Sequence, residues 1–525
     1  MAARITAYLV ALIVGTTFVA GLIVGAQRDD DGPVDLIVVN GNVYTSDADN
    51  PTAEAVAVQG NKILMVGSNR DVQRLRRPQT IVVDAKGGSV LPGFNDAQAE
   101  FLNTGLELRE IDLLDARTVP DVETTVRAWA AANIESAWVI GRGWHADSFA
   151  GGLPTRELLD TLVPDRPAFL AAADGESGWA NSAALKLANI TKRTPHPPDG
   201  TIVKDSRTGE PTGVIKGAAI ELVTSLLPKP TREQRLQALR DAIELAHRRG
   251  VTSVQDTGGS AADLPLYDEL RRTAELDVRV YASMSADPPI STEELAALDG
   301  LREKYGDDPL FKTGAVNFVI ESEHADRDVA DTEFETLVAA LDQRGWQVMI
   351  RAIGDGAVRL ALDAFQYATS QNPGVRDRRH RFESESRRSS VDIGDPKADP
   401  MDAIDLATIS KAGVTASRQP DVADPMQGLQ LAVDAAAPDG EPRREWSAAE
   451  RRALSQAIDA YTRDAAWASF DEHRKGTLKR DMLADIVVLS RDIFSIAPSR
   501  LAETDVAVTI FNGKVVFSRP AESND

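Results

Sequence analysis

Apolar residues form two kinds of pattern, and each kind covers its own part of the chain. Residues 34–90 alternate short β-branched runs with turn residues, as in a sheet whose strands are joined by hairpins. The same pattern returns near the C-terminus at 484–489 and 506–511, where the following Asn512-Gly513 is a strong hairpin signal. We therefore predict that the two ends of the chain build one β-sandwich together.

The middle of the chain alternates apolar strand-like runs with amphipathic helical runs, which is typical of repeated βα units around a parallel sheet. In one such unit, Thr231 and Gln234 have the spacing of a capping box, a helix with one apolar face follows, and Gly250 ends it. Residues 251–254 have the composition of the next strand. This pattern predicts an α/β fold with a parallel sheet.

A long uncharged apolar run, residues 5–26, stands near the start of the chain. At about 1.5 Å per residue, a helix of this length crosses the roughly 30 Å hydrocarbon layer of a bilayer. Arg4 precedes the run and acidic residues 29–31 follow it, so the positive-inside bias favours a body outside the cytoplasm. We predict a single-pass membrane anchor with the body on the periplasmic or extracellular side. The alternative is a signal peptide that is cleaved near Ala26.

Composition excludes several classes of function. The chain has 525 residues, with 58 Lys+Arg against 80 Asp+Glu and a formal net charge of -22. No basic run offsets this charge, so we expect no nucleic-acid partner. The absence of cysteine from the sequence excludes disulfides, cysteine–zinc sites, iron–sulfur ligation and a thiol nucleophile.

Several short phrases carry a family resemblance. Residues 91–100, LPGFNDAQAE, resemble the first metal-binding strand of the amidohydrolase superfamily, whose pattern is Pro-Gly-Phe-Ile-Asp-Ser-His-x-His. Other phrases resemble amidohydrolase family 3, the YtcJ-like group that includes N-substituted formamide deformylases; they are NSAAL at 181–185, AIGD at 352–355, RHRFE at 379–383 and DPMQGL at 424–429. Because the phrases keep their order from residue 34 to residue 518, the chain is similar to this family over nearly its whole length.

The resemblance implies a metal-dependent hydrolase of C–N bonds, built as a TIM-type (β/α)₈ barrel with a side β-sandwich. It divides the chain into an N-terminal anchor or signal peptide, a first part of the sandwich, the barrel and a second part of the sandwich, at 1–28, 29–90, 91–470 and 471–525. Ser384 and Arg418 stand closer together than the corresponding family positions. We therefore expect a barrel that is shortened near its seventh and eighth strands.

The six positions at which the family has its metal ligands carry other residues here: Gln98, Glu100, Asn317, Arg351, Ser384 and Arg418. The family's chemistry needs neutral imidazoles and anionic groups around one or two divalent ions, which lower the pKa of a bound water. Two guanidiniums repel a cation, so we predict no metal, no other cofactor and no catalytic residue. Instead, we expect Arg351 and Arg418 to pair with Glu100 and nearby carboxylates in an ion-paired plug. Removing Arg351 from a buried pair would then destabilise the fold by several kcal/mol.

Six further residues are candidates for lining the same pocket: His145, Glu176, Gln255, Glu321, His380 and Glu383. Carboxylates such as Glu321 are ligands for Ca²⁺ or Mg²⁺, and an oxygen-ligated ion stays an alternative to a metal-free pocket. For His145 we favour a structural role. His380 and Glu383 have half the spacing of a zinc motif, but on a strand positions i and i+3 face opposite sides.

Together these features favour a membrane-anchored amidohydrolase-like protein without its metal site. We expect it to be an inactive structural or binding subunit with protein partners in an extracytoplasmic complex. Two alternatives stay open. One is a divergent hydrolase of non-peptide C–N bonds, and the other is a receptor whose pocket arginines bind a small carboxylate.

Overall fold

The computed structural model describes residues 34–286, 288–321, 329–374, 377–385, 415–417, 424–435 and 446–520. The predicted anchor at 5–26 and the candidate Arg418 lie outside these ranges. Within the ranges, no helix is both long and apolar enough to cross a membrane. The strands of the described residues form four sheets.

The two ends of the chain meet in one six-stranded sheet. Three N-terminal and three C-terminal strands build it: β2 (Asn42–Tyr44), β3 (Thr52–Ala53), β7 (Ser89–Pro92), β21 (Ile486–Leu489), β22 (Val506–Phe511) and β23 (Lys514–Ser518). The order is β23-β22-β21-β7-β2-β3, and β21 runs antiparallel to β7 with Val487 opposite Leu91. The last strands of the chain therefore pair directly with the strand that precedes the barrel.

A second sheet comes from the N-terminal segment alone. Its strands are β1 (Leu36–Val39), β4 (Ala55–Gln59), β5 (Lys62–Gly67) and β6 (Ile81–Asp84), in the order β5-β4-β1-β6. One hydrophobic cluster contains side chains of both sheets, among them Leu36, Val56, Val90 and Ile486. The alternating β-branched runs at the two ends of the sequence thus bury their apolar faces in a shared core.

A seven-stranded sheet forms the described part of the barrel. Its strands are β8 (Phe94–Ala99), β15 (Val251–Asp256), β16 (Arg279–Ser285), β17 (Phe311–Glu321), β18 (Gln347–Ile353), β19 (Arg381–Glu385) and β20 (Thr415–Ser417), neighbours in that order. All neighbouring pairs are parallel, as the alternation of strand and helix patterns predicts. The helices that alternate with these strands are Arg232–Arg248, Leu264–Arg272, Thr292–Tyr305, Val329–Gln343 and Asp355–Gln371.

The helix Arg232–Arg248 shows how local sequence sets these units. Thr231 Oγ1 accepts a hydrogen bond from Gln234 N at 3.2 Å, and the Gln234 side chain accepts one from Thr231 N at 2.8 Å. This reciprocal capping box is confirmed by the structure. After the helix, Gly250 has a φ of 73°, a left-handed conformation that glycine adopts without steric cost. The chain then turns directly into β15.

A separate six-stranded sheet lies between β8 and β15 in sequence. Its strands are β9 (Ile111–Asp112), β10 (Val139–Trp144), β11 (Ala168–Ala172), β12 (Ser177–Ala180), β13 (Gly200–Lys204) and β14 (Pro211–Gly217), in the order β13-β14-β12-β11-β10-β9. It has hydrophobic clusters of its own, one of which contains Trp144, Phe149 and Trp179 in edge-to-face contacts. Residues 91–470, which the sequence assigns to the barrel, therefore also contain a second sheet.

The remaining helices are mostly short: Asn69–Arg74, Phe101–Glu107, Val119–Ala132, Arg156–Leu162, Ser182–Leu187, Glu221–Thr224, Pro425–Ala435, Ala448–Asp459 and Ala465–Ala468. Single turns of 3₁₀ or π helix lie at Ala146–Ser148, Ala218–Ile220, Ala460–Asp464 and Pro498–Glu503. The carbonyl of Ala468 accepts a hydrogen bond from the side chain of Gln347, the first residue of β18, at 2.9 Å. The helical segment before Ala468 thus lies against the N-terminal ends of the barrel strands. We call this end of the barrel, marked by Arg279, Phe311 and Gln347, the floor, and the opposite end the mouth.

Candidate functional site at the barrel mouth

The carboxyl ends of the barrel strands bring several predicted residues to one cleft. The cleft has a volume of about 290 Å³ and is lined by Ala97, Gln98, Thr257, Asn317, Met349, Ile350, Arg381, Phe382 and Glu383. Gln98 comes from β8, Asn317 from β17 and Glu383 from β19. In parallel barrels the functional residues lie at this end of the strands, so the cleft is the candidate site.

The sequence resemblance aligns two amide side chains of the cleft with metal-ligand positions of the family. Asn317 is 9% exposed, and its Nδ2 donates a hydrogen bond to the carbonyl of Thr257 at 2.9 Å. Gln98 is half-buried, and its backbone N–H donates to Asp96 Oδ1 at 3.0 Å. Neutral amides are weak ligands for zinc in comparison with imidazole or carboxylate, so these two positions favour hydrogen bonding over metal coordination.

The predicted pairing of Arg351 with Glu100 is present at the rim of the cleft. One guanidinium nitrogen of Arg351 lies 3.5 Å from Glu100 Oε1, and the two side chains are 28% and 48% exposed. Glu383 lies opposite Arg351 on the neighbouring strand, and Glu100 also accepts a hydrogen bond from Asn103 Nδ2 at 3.0 Å.

The exposure of this pair corrects the expected cost of removing Arg351. Several kcal/mol was predicted for a buried pair, but a half-exposed pair with one long contact contributes about 0–1 kcal/mol. Arg418, the second half of the predicted plug, lies outside the described residues.

Arg381, which the sequence did not single out, lies at the bottom of the cleft. Its side chain is buried, with the residue 8% exposed. The Nη1 atom donates to Gln255 Oε1 at 2.7 Å, and the Nη2 atom contacts Met349 Sδ at 2.8 Å. Burial lowers the pKa of Arg381 to about 10. The phrase RHRFE contains this residue, but only the fold shows that it points into the barrel.

His380 and Glu383 confirm the expectation that they face opposite sides of a strand. His380 is buried, its Nδ1 accepts a hydrogen bond from Val348 N at 3.0 Å, and its Nε2 lies 3.1 Å from Asp342 Oδ1. Asp342 belongs to the helix Val329–Gln343, so His380 points outward while Glu383 lines the cleft. His380 and Glu383, which have half the spacing of a zinc motif, therefore lie on opposite faces of β19.

The other candidates have mixed positions. Gln255 is fully buried inside the barrel, where its Nε2 donates to the carbonyl of Ala465 at 2.7 Å. Glu321 is exposed at the end of β17, and Ser384 lies in β19 opposite Ala352. The inserted sheet carries the remaining two candidates, neither of which lines the cleft: His145, whose Nε2 lies 2.9 Å from the carbonyl of Leu114, and the exposed Glu176.

A buried carboxyl at the end of β15 adds a titratable group beside the mouth. Asp256 is 1% exposed, accepts a hydrogen bond from the Tyr267 hydroxyl at 2.6 Å, and accepts another from Phe101 N at 3.2 Å. Burial raises the pKa of Asp256 to about 6, with a smaller contribution from the charge of Glu100. The donated hydrogen bonds stabilise the carboxylate and oppose this rise.

The donor set of the cleft does not fit a catalytic divalent metal. A zinc-type site needs several imidazole, thiolate or carboxylate ligands that converge on one point. In the part of the chain that the structure describes, no group of three or more His, Cys, Asp or Glu side chains is placed to hold a metal ion. The cleft instead combines amides with the guanidinium of Arg381 and the single carboxylate of Glu383, and the guanidinium of Arg351 stands at its rim.

The parallel sheet and the cleft at its carboxyl ends define a TIM-like α/β barrel protein. The family model described as the amidohydrolase family matches residues 81–517, which is more than half of the chain. The protein therefore belongs to the amidohydrolase family, and the resemblance predicted from its short phrases is confirmed.

Relatives match along nearly the whole chain. The protein is 30% identical over 540 residues to the protein LONG AFTER FAR-RED 3 of Arabidopsis thaliana, with 92% of this chain and 91% of the relative covered. It is 26% identical over 541 residues to the N-substituted formamide deformylase of Arthrobacter pascens, with 92% and 98% covered. A solved structure of an uncharacterized metal-dependent hydrolase from Pyrococcus furiosus aligns with a TM-score of 0.62 and 23% identity, covering 88% of this chain and 99% of that one. This structural likeness shows the fold.

Proposed function

We propose that this protein is an amidohydrolase-family member that binds a partner or ligand and does not hydrolyse it. The carrying observation is the chemistry of the mouth, where Asn317 and Gln98 line the cleft and Arg351 pairs with Glu100 at its rim. The sequence resemblance aligns these three residues with metal-ligand positions of the family. Hydrolysis by this family's chemistry needs a metal-bound water at low pKa. A guanidinium beside Glu100 supplies positive charge but no Lewis acid.

We also propose where the protein lies in the cell and how the two ends of its chain are arranged. Residues 5–26 would anchor the protein in a membrane with its body on the extracytoplasmic side, where we expect protein partners in a membrane-associated complex. The two sheets that share one core at the ends of the chain would form a side β-sandwich on the barrel. Such a body is a large rigid surface that a complex can use without any reaction.

The rival function is hydrolysis of a non-peptide C–N bond. It is favoured by one specific observation, the 26% identity over nearly the full length to a protein named N-substituted formamide deformylase. The two functions differ in metal content and in turnover, so one preparation can separate them.

The test is metal analysis and turnover on the full chain purified from membranes. We expect zinc, iron and manganese far below one ion per chain by mass spectrometry, and no cleavage of an N-substituted formamide above the buffer rate. The Arthrobacter pascens deformylase, purified and assayed in the same way, is the matched positive control. One tightly held transition metal per chain, or turnover that a chelator abolishes, would refute the proposal in favour of the rival.

A further inference from the structure

Arg381 is a buried cation with neutral partners. Its residue exposure is 8%, and its two observed acceptors are the amide oxygen of Gln255 at 2.7 Å and the sulfur of Met349 at 2.8 Å. A thioether is a weak acceptor, and a guanidinium carries five N–H donors. Throughout the described ranges, no carboxylate oxygen forms an ion pair with Arg381 within 4.0 Å. The remaining donors are therefore available to a ligand in the cleft.

The electrostatics of Arg381 differ from those of Arg279, another buried arginine of the barrel. Arg279, at the floor, holds both oxygens of Asp485 at 2.6 and 2.9 Å. Burial lowers the pKa of Arg381, and only longer-range electrostatic interactions with Tyr281 and Glu383 oppose that shift. A buried charge without a close counterion is destabilising, and an anion that enters the cleft would offset that cost.

We infer that the cleft binds a short monocarboxylate whose oxygens accept hydrogen bonds from the guanidinium of Arg381. The planar fork of arginine matches a carboxylate, and Gln98 and Asn317 line the same space with polar side chains. The cleft is small, because its empty space of about 290 Å³ includes part of the open mouth, so the ligand is small. This inference rests on the proposed function, in which the cleft holds no metal.

The test is a titration of the full chain with sodium acetate, followed by thermal unfolding. A ligand that binds only the folded state raises the Tm in a saturable way. We expect acetate to do so, while acetamide, its neutral analogue of nearly equal size, and sodium chloride at equal ionic strength do not. Equal responses to acetate and acetamide, or to acetate and chloride, would overturn the carboxylate assignment.

Two arginine variants locate the site. Arg381→Met removes the charge and most of the donors, so we expect the acetate response to disappear. Arg351→Met is the matched control, because Arg351 lies at the rim outside the cleft lining, and its acetate response should equal that of the wild type. If Arg381→Met does not fold, Arg381→Lys keeps the charge without the fork, and a response at least tenfold weaker is expected. An unchanged response in either Arg381 variant contradicts the inference.

The outcomes separate this inference from the proposed function. Metal content is measured on the same sample that is titrated. A metal-free protein that ignores acetate overturns the carboxylate site and leaves the proposed function standing. A protein with one transition metal per chain overturns the proposed function, whether or not acetate raises the Tm.

Discussion

The floor and the mouth of the barrel hold charged side chains in opposite ways. At the floor, Arg279 and Asp485 are 4% and 5% exposed and form a bidentate pair. At the mouth, Arg351 and Glu100 are 28% and 48% exposed and share one contact of 3.5 Å. The charges of the floor are buried in the structure, whereas those of the mouth are partly exposed to solvent.

The difference follows from what each end of the barrel contacts. Asp485 directly precedes β21, so its pair with Arg279 joins the first residue of β16 to the sheet that the two chain ends share. A second pair, Lys312 with Asp471 at 2.8 Å, adds a similar contact at the start of β17. Arg351 and Glu100 are more exposed than the side chains of either floor pair. Three measurements test this difference between the floor and the mouth.

The largest loss of stability is expected from Asp485→Asn. The substitution keeps the shape of the side chain but leaves the buried guanidinium of Arg279 without its counterion, which costs about 3–5 kcal/mol. Urea unfolding of the full chain at neutral pH measures the free energy of unfolding of each variant. The control is Asp505→Asn, whose pair with Arg519 is 55% and 45% exposed and whose loss costs less than about 1 kcal/mol. Equal costs for the two variants would remove the distinction between a structural floor and an open mouth.

A smaller, pH-dependent effect is expected from Asp256. Its folded pKa of about 6 lies above the unfolded value of 3.8, so the protonated form stabilises the fold. That contribution is fully present below the unfolded pKa and is lost as pH rises through the folded pKa. A shift of this size corresponds to about 3 kcal/mol at most.

The measurement for Asp256 is the unfolding free energy between pH 4 and pH 7, compared with that of Asp256→Asn. The asparagine does not titrate, so the stability of the variant relative to wild type should rise across this window. Asp205→Asn, at a fully exposed carboxyl whose pKa backbone donors lower, is the control and should show no such rise. A wild-type and an Asp256→Asn curve that run parallel would contradict the raised pKa.

The smallest effect is expected from Arg351→Ala. Because the pair with Glu100 is half-exposed, its loss should cost about 0–1 kcal/mol. Thermal unfolding at low and at moderate salt measures the cost and its screening. A loss of several kcal/mol would show that the mouth is a buried ion-paired plug after all and that it resembles the floor.

Local patterns predicted the units of the fold well because they are set by neighbouring residues. The capping box of Thr231 and Gln234 and the opposite faces of His380 and Glu383 follow from helix and strand geometry alone. The family phrases also predicted which strand ends carry Gln98, Asn317 and Arg351. These inferences need no knowledge of distant contacts.

Features that depend on distant contacts could not be predicted in this way. The sheet from β9 to β14 is a second set of strands, and periodicity does not show which strands pair with the barrel. The sequence shows Arg381 and Glu100 as charged residues, but their burial and exposure are set by the packing of β19 and β8. The Arg351 pair was expected to be buried and is half-exposed for the same reason.

The pairing of β7 with β21 has a consequence for how the chain is made. Ser89, in β7, bonds to Asp492, a residue 403 positions later. Contacts of such long sequence separation slow folding, because the entropy of closing the loop is lost before they form. The edge of β7 that receives β21 therefore stays unpaired while ribosomes synthesise the barrel, and an unpaired strand edge promotes aggregation. The sheet that contains β7 is completed only after β21, β22 and β23 have been translated.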